Sequence, residues 1–235
     1  MDIRDELTAR SPLRILDRSM HGGLGTGGLG VVCAPAGVGK SAFLVDVALD
    51  ELLRGREVLH FALEHATERV RSYYRQIFDE IVRAERIERP SEVWSDLERG
   101  LRIQAYQGAS FGVATLERTL SLLDEHAGFL PDVVVVDGYD WARGSSREVD
   151  GIKRAIRGHG CELWMSASVE DTGDGGPFVA FPDPLPRYRE VVDVLFSLCG
   201  AAGVVHVRLL KDREGVEPRA LDLDLDPTTL LLVRA

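Results

Sequence analysis

The chain has 235 residues, enough for one domain with a substantial core, and its 45% of hydrophobic residues indicates a globular protein. It carries 28 Lys and Arg against 38 Asp and Glu, and this net charge of −10 argues against wholesale nucleic-acid binding, although a local basic patch stays compatible with it. The N-terminus lacks an apolar signal core, and no apolar run is long enough to span a bilayer. We therefore expect a soluble cytoplasmic protein.

The predicted elements alternate between strands and helices over the first two thirds of the chain. Strands are predicted at 29–34, 57–63, 101–106, 132–137 and 162–167, and helices at 41–55, 66–87, 91–100, 112–128 and 146–160. Further strands follow at 192–198, 204–210, 219–226 and 229–235. This order predicts an α/β fold with a mostly parallel sheet flanked by helices and an antiparallel C-terminal extension. We divide the chain into an N-terminal segment, 1–19, and a single domain, 20–235.

A nearly complete phosphate-binding loop lies between the first predicted strand and helix. Such loops have the pattern Gly, four residues, then Gly-Lys-Ser or Gly-Lys-Thr, and here Ala34 replaces the first glycine. Gly37 and Gly39 allow the backbone N–H groups to turn toward a phosphate, and the following helix adds its positive N-terminus. The alternative is a glycine-rich turn that binds nothing. The predicted nucleotide-binding residues are Pro35, Ala36, Gly37, Val38, Gly39, Lys40, Ser41 and Ala42.

Two carboxylates complete the predicted site. Asp137 ends the buried run 132–137, where parallel sheets bind ligands, and it would hold Mg²⁺ through water together with the Ser41 hydroxyl. Glu64 follows the strand 57–63 and is placed to activate the water that attacks the γ-phosphate, with Lys40 neutralising the phosphate charge. The alternative for Glu64 is an exposed residue at a helix start, favoured there by the helix dipole.

Two cations follow the predicted strand 204–210. Lys211 and Arg213 are separated by one residue, and alternate residues of a strand point to the same side, so both would reach one phosphate. Spacing alone does not distinguish this hypothesis from an ordinary solvated hairpin tip.

These elements, in this order, resemble the RecA-type ATPases, most of all the ATPase domain of the DnaB-type replicative helicases, with KaiC-type and RadA-type proteins nearby. DnaB-type loops often carry Ala at the first position, so Ala34 reads as a variant of the loop. "FALEH" is similar to the family's Ser-Leu-Glu-Met, which implies that Glu64 is the catalytic glutamate. "PDVVVVDGYD" resembles the Walker B strand ending in Asp137.

The resemblance extends over roughly residues 20 to 233. "KDREG" is similar to the family's Lys-x-Arg-x-Gly, which implies that Lys211 and Arg213 reach the γ-phosphate of a neighbouring subunit. A homo-oligomer, as a ring or filament, follows from that trans action. The implied cofactors are ATP and Mg²⁺.

The departures from the family concern the elements that would respond to DNA. The family usually has Gln at the strand end where this chain has Ser168, which is shorter. The loop 169–188 holds Glu170, Asp171, Asp174 and Asp183, with Arg187 at its far end. The other candidate contact loop, 138–151, balances Arg143 and Arg147 against Asp140, Glu148 and Asp150. Neither offers a run of cations for phosphates, and the N-terminal domain and linker helix of replicative helicases have no counterpart in this sequence.

Three functions stay open at this point. The first is an oligomeric ATPase that switches or drives a protein partner, which the acidic loops favour. The second is a DNA-dependent motor or recombination accessory, and the third is a nucleotide-binding regulator that hydrolyses slowly or not at all. A small-molecule kinase is a weaker fourth possibility. Tyr73 and Tyr74 either stack on adenine or pack within their helix, and the latter is preferred.

Overall fold

A computed structural model of the chain describes residues 3–107, 110–170, 177–178, 180–201 and 203–235. Within these residues the strands form one nine-stranded sheet in the order β3-β2-β4-β5-β1-β6-β7-β8-β9. The strands are β1 (Leu29–Ala34), β2 (Val58–Ala62), β3 (Leu101–Ala105), β4 (Val133–Asp137), β5 (Glu162–Ser168), β6 (Val194–Ala201), β7 (Val204–Lys211), β8 (Arg219–Leu225) and β9 (Leu232–Val233). The pairs from β3 to β6 are parallel, and those from β6 to β9 are antiparallel.

Helices cover both faces of this sheet. They are α1 (Ile3–Arg10), α2 (Arg14–Ser19), α3 (Lys40–Leu53), α4 (Thr67–Glu85), α5 (Pro90–Arg99), α6 (Val113–Ala127) and α7 (Ser146–Gly158), and a short 3₁₀ helix spans Leu185–Tyr188. One hydrophobic core contains the apolar faces of α3, α4 and α5, and a second contains those of α6 and α7. No helix of the described ranges is long and apolar enough to cross a bilayer.

The residue types explain why the central strands lie where they do. In β4, Val133 and Val135 belong to the first core, whereas Val134 and Val136 belong to the second. A continuous β-branched run suits a strand that is covered on both faces, as parallel strands are. The parallel strands all end at one edge of the sheet, here called the carboxyl edge, and begin at the opposite, amino edge.

The predicted fold class is confirmed, and each predicted strand and helix is present with ends that differ by a few residues. The shortest is β9, which pairs over Leu232–Val233 only. The helices α1 and α2 were not predicted from the sequence. Leu16 of α2 enters the first core, and Arg14 and Arg54 both bond Asp17, with Arg54 Nη2 at 2.7 Å. Contacts with α3, rather than a strong helical pattern, hold these two short helices in place.

Candidate functional site

The predicted phosphate loop connects β1 to α3 at the carboxyl edge. Gly37 and Gly39 have φ of 80° and 118°, a backbone region that suits glycine, and α3 begins directly after them at Lys40. A Cβ on Gly39 would collide with Leu225 Cδ2, so the end of β8 also packs against this turn. The loop therefore combines a glycine turn with the positive N-terminus of a long helix, the arrangement that binds phosphate groups.

Lys40 folds over the loop that it follows. Its ammonium group donates to the carbonyl oxygens of Ala34 at 3.1 Å and Pro35 at 3.0 Å. Burial lowers the pKa of Lys40, while the carboxylates of Asp137 and Glu64 oppose that change. The positive charge of Lys40 thus lies at the mouth of the loop, within electrostatic range of both predicted carboxylates.

Asp137 is held from two sides. The Ser41 hydroxyl donates to Asp137 Oδ2 at 2.7 Å, as the pairing of phosphate loop and strand-end aspartate predicts. The Ser166 hydroxyl of β5 donates to Asp137 Oδ1 at 2.6 Å and accepts from the Gly138 amide at 2.8 Å. Asp137 is only 7% exposed, so these two serines fix the direction of a buried carboxylate.

Sequence reasoning missed Ser166. It selected Ser168, which is exposed and lies beside Ala34 in the sheet. The pairing of Val136 with Met165 brings Ser166 level with Asp137. The one signal in the sequence was a small hydroxyl residue inside an otherwise apolar strand, and its partner depends on the register between β4 and β5.

Oxygen ligands on Ser41 and Asp137 fit a magnesium ion, which keeps several waters and usually takes one or two protein groups together with phosphate oxygens. The Ser41 hydroxyl oxygen and one carboxylate oxygen of Asp137 are hydrogen-bonded to each other, and both are hard oxygen ligands of the kind that Mg²⁺ prefers. The described residues contain no cluster of three or more His, Cys, Asp or Glu suited to a metal held by protein alone.

Glu64 lies beside the end of the strand that carries Asp137. The Leu63 amide donates to the Asp137 carbonyl at 2.9 Å, which places Glu64 just past the ends of β2 and β4. Its side chain lies over Gly138, where an added Cβ would be 2.6 Å from Glu64 Cγ. Glu64 is exposed, precedes α4 and faces a cleft of about 450 Å³ that Phe111 and Tyr139 also line. A carboxylate in such a cleft is accessible to water.

Lys211 and Arg213 lie away from this group of residues. Lys211, the last residue of β7, pairs with Leu195, the second residue of the parallel strand β6. Arg213 Nη2 lies near Gly25, which precedes β1, and would be 3.5 Å from a Cβ added there. Both cations are therefore at the amino edge, opposite the phosphate loop of their own chain.

The two cations also have different surroundings, because β7 ends at Lys211 and the alternation of a strand does not continue to Arg213. The Lys211 ammonium donates to the Arg189 carbonyl at 3.0 Å and to the Val192 carbonyl, and burial lowers its pKa. The Arg213 side chain is exposed.

The two candidate contact loops are joined to each other. Arg187 Nη2 donates to the carbonyl oxygens of Trp141 at 2.5 Å and Ala142 at 2.7 Å, and the Tyr188 hydroxyl donates to the Trp141 carbonyl at 2.8 Å. Arg187, the cation that the sequence analysis noted at the end of the loop 169–188, is thus engaged within the chain. The predicted acidic residues Asp171 and Asp174 lie outside the described residues.

The tyrosine pair follows the packing hypothesis. Tyr74 is fully buried, and its hydroxyl is 2.9 Å from His60 Nδ1. Burial lowers the pKa of His60 to about 4, so this histidine is neutral inside the core. Tyr73 is partly exposed beside Arg69, whose guanidinium carbon is 6.0 Å from the ring centre.

Comparisons with known proteins bear on the fold. No family model matches the chain, and no curated protein matches it by sequence. Among solved structures, the chain is similar to one described as an ATPase domain, with a TM-score of 0.69 and 17% sequence identity. The alignment covers 99% of this chain and 96% of that one. The chain therefore shares the α/β fold of that ATPase domain, and the roles of its residues must be argued from the site.

Proposed function

We propose that the protein binds ATP with Mg²⁺ and hydrolyses it as an oligomer, acting as a switch or motor on a protein partner. The observation that carries this proposal is the meeting of four predicted residues at the carboxyl edge. Lys40, Ser41 and Asp137 are linked through the phosphate loop, and Glu64 adjoins Asp137 over Gly138. The fold shared with an ATPase domain supports the same reaction class.

In this mechanism the loop amides and the start of α3 bind the β- and γ-phosphates, and Lys40 exchanges its two carbonyl contacts for phosphate oxygens. Ser41 and Asp137 would hold Mg²⁺, which when bound neutralises charge on the phosphate oxygens. Glu64 accepts a proton from a water whose oxygen bonds to the γ-phosphorus. The bond from that phosphorus to the β–γ bridging oxygen breaks, and ADP and phosphate leave.

A second copy of the chain would complete each site. Because Lys211 and Arg213 lie at the amino edge, their own phosphate loop is out of reach, and only a neighbour's nucleotide is available to them. A ring or filament in which one subunit's amino edge meets the next subunit's carboxyl edge satisfies this requirement. Arg213 is the exposed member and would make the contact, while Lys211 is bonded to carbonyl groups within its own chain.

A protein partner is favoured over DNA by the state of the candidate contact loops. Arg187 is engaged with Trp141 and Ala142, and Arg143 lies 3.9 Å from the Asp140 carboxylate. DNA binding draws its affinity from many cations that neutralise phosphates together, and these two loops offer few cations, balanced by carboxylates.

The test is steady-state ATP turnover at low salt, with and without single-stranded DNA, with Glu64→Gln as the blank. We expect turnover above the blank that DNA leaves unchanged. Strong stimulation by DNA would make a DNA-dependent motor the better interpretation, and turnover no higher than the blank would leave a nucleotide-binding regulator. Lys40→Ala should weaken ATP binding about 10- to 100-fold, the worth of a charge-assisted hydrogen bond, and unchanged binding would contradict the phosphate-loop assignment.

A further inference from the structure

The turn that carries Arg213 is closed by the aspartate between the two cations. Asp212 is buried, whereas Arg213 and Glu214 on its C-terminal side are exposed. Asp212 Oδ1 accepts hydrogen bonds from the amides of Glu214 at 2.9 Å and Gly215 at 3.0 Å, and the Asp212 amide donates to the Gly215 carbonyl at 3.0 Å. One side chain thus determines the backbone course of residues 212–215.

The second carboxylate oxygen ties this turn to the rest of the molecule. Arg219 Nη2 donates to Asp212 Oδ2 at 3.3 Å and to the Ser19 carbonyl at 3.2 Å, which connects the turn to the end of α2. His21 Nε2 lies 3.9 Å from Asp212 Oδ2. On the strand side, Lys211 is fastened to the carbonyls of Arg189 and Val192. The turn is therefore anchored on both flanks.

We propose that Asp212 is a positioning residue, which directs Arg213 from the amino edge toward the nucleotide of a neighbouring subunit. This inference rests on the proposed trans function. The Asp212 carboxylate bonds the turn and Arg219, so it orients the backbone that carries Arg213 and leaves the Arg213 charge available. An exposed, long side chain reaches a fixed target only when its backbone direction is fixed, and a misplacement of about 1 Å can reduce a rate about a hundredfold.

The experiment measures ATP turnover and nucleotide binding of the full-length oligomer. Asp212→Ala should lower kcat about 10- to 100-fold while the affinity for a fluorescent ATP analogue stays within about twofold, because the phosphate loop of the same subunit is untouched. Asp212→Asn keeps an oxygen that accepts from both turn amides and should retain most of the kcat. Asp222→Ala, which changes an exposed aspartate of β8, is the matched control and should turn over like the wild type.

Mixed oligomers separate positioning from a structural role. In an equimolar mixture of Asp212→Ala and Glu64→Gln subunits, about a quarter of the interfaces join an intact turn to an intact Glu64, and turnover should rise above that of either variant alone. Arg219→Ala removes the Oδ2 contact but leaves the turn hydrogen bonds, so it serves as a milder variant if Asp212→Ala does not fold. It should give a smaller loss of kcat, and because only about a quarter of the mixed interfaces are fully intact, the mixture exceeds this variant alone only if the loss is more than about threefold.

The outcomes distinguish this inference from the proposed function. Wild-type turnover by Asp212→Ala would overturn the positioning role. The same conclusion follows if Glu64→Gln subunits restore the turnover of Arg213→Ala but not that of Asp212→Ala. Either result would leave trans catalysis standing. If Arg213→Ala is not restored either, trans action itself fails and the inference fails with it. If the wild type does not exceed the Glu64→Gln blank, the ATPase proposal is refuted, and the positioning role with it.

Discussion

Two buried serines in neighbouring parts of the sheet allow a matched test of how Asp137 is held. Ser166 is 2% exposed, and its hydroxyl bridges Asp137 Oδ1 and the Gly138 amide. Ser197 in β6 is fully buried, and its hydroxyl has no hydrogen-bond partner within the described part of the chain. Replacing each serine by alanine removes the same atom from an equally buried place, so the difference between the two variants measures the hydrogen bonds.

The two variants should change the free energy of unfolding differently. Ser166→Ala removes a hydrogen bond to a charged carboxylate and leaves the Gly138 amide without its partner, which should lower the free energy of unfolding by about 2–4 kcal/mol. Ser197→Ala removes a buried hydroxyl that is unpaired among the described residues, so it should be neutral or stabilise by up to about 1 kcal/mol. We therefore expect the two variants to differ by at least about 2 kcal/mol.

Urea unfolding followed by tryptophan fluorescence is the assay, because the three tryptophans Trp94, Trp141 and Trp164 are all largely buried. The comparison uses midpoints of transitions with equal m-values. Equal losses of stability in the two variants, or a loss below about 0.5 kcal/mol for Ser166→Ala, would refute the argument that Ser166 holds Asp137. A Ser166→Ala protein that is destabilised as expected should also hydrolyse ATP more slowly, since only Ser41 then orients the Asp137 carboxylate.

Three further predictions address other parts of the molecule. Gly39→Ala should lower the thermal unfolding midpoint more than Gly55→Ala does. Both glycines have positive φ, but only at Gly39 would the added Cβ meet another side chain, that of Leu225. Equal shifts of the midpoint in the two variants would contradict this steric argument. Burial raises the pKa of Glu51 from 4.5 to about 7. Between pH 4.5 and about 7, Glu51 therefore keeps its proton in the folded protein but has lost it in the unfolded chain. The free energy of unfolding should accordingly fall by up to about 3 kcal/mol as pH rises from about 4.5 to 7. Glu51→Gln should flatten this dependence in urea titrations at pH 5 and 8, and an unchanged slope would exclude Glu51 as its source. Arg187→Ala should speed hydrogen exchange of the amides at 139–145, with those of β8 as the internal reference, and unchanged exchange would show that Arg187 does not hold the loops together.

The sequence was most informative where a local pattern specifies both geometry and partner. The glycine spacing before Lys40 and the strand ending in Asp137 predicted residues that lie close together at one edge of the sheet, because parallel strands end at the same edge. Ser166 was not predictable in this way, because its contact with Asp137 depends on the register of two strands that are separated in the sequence by α7. No local pattern encodes such a register.

The N-terminal helices and the two cations show the same limit. The helix α2 has few apolar residues, and its contacts with α3 include ion pairs of Arg14 with Asp50 and of Asp17 with Arg54, which become visible only once the chain is folded. For Lys211 and Arg213, the alternation argument assumed that the strand continues. The strand ends at Lys211, and the two side chains have different surroundings, with Lys211 bonded to backbone carbonyls and Arg213 exposed.

The strand β8 connects the two edges of the molecule. Its first residue, Arg219, bonds Asp212 and the Ser19 carbonyl at the amino edge, and its last, Leu225, packs on Gly39 of the phosphate loop at the carboxyl edge. Its seven extended residues cover about 20 Å, and it pairs with β7 at both of its ends and with β9 at Asp224 and Leu225. In a ring built as proposed, each subunit would contact its neighbour's nucleotide at one end of this strand and its own at the other. Nucleotide states around the ring would then be coupled mechanically through β8.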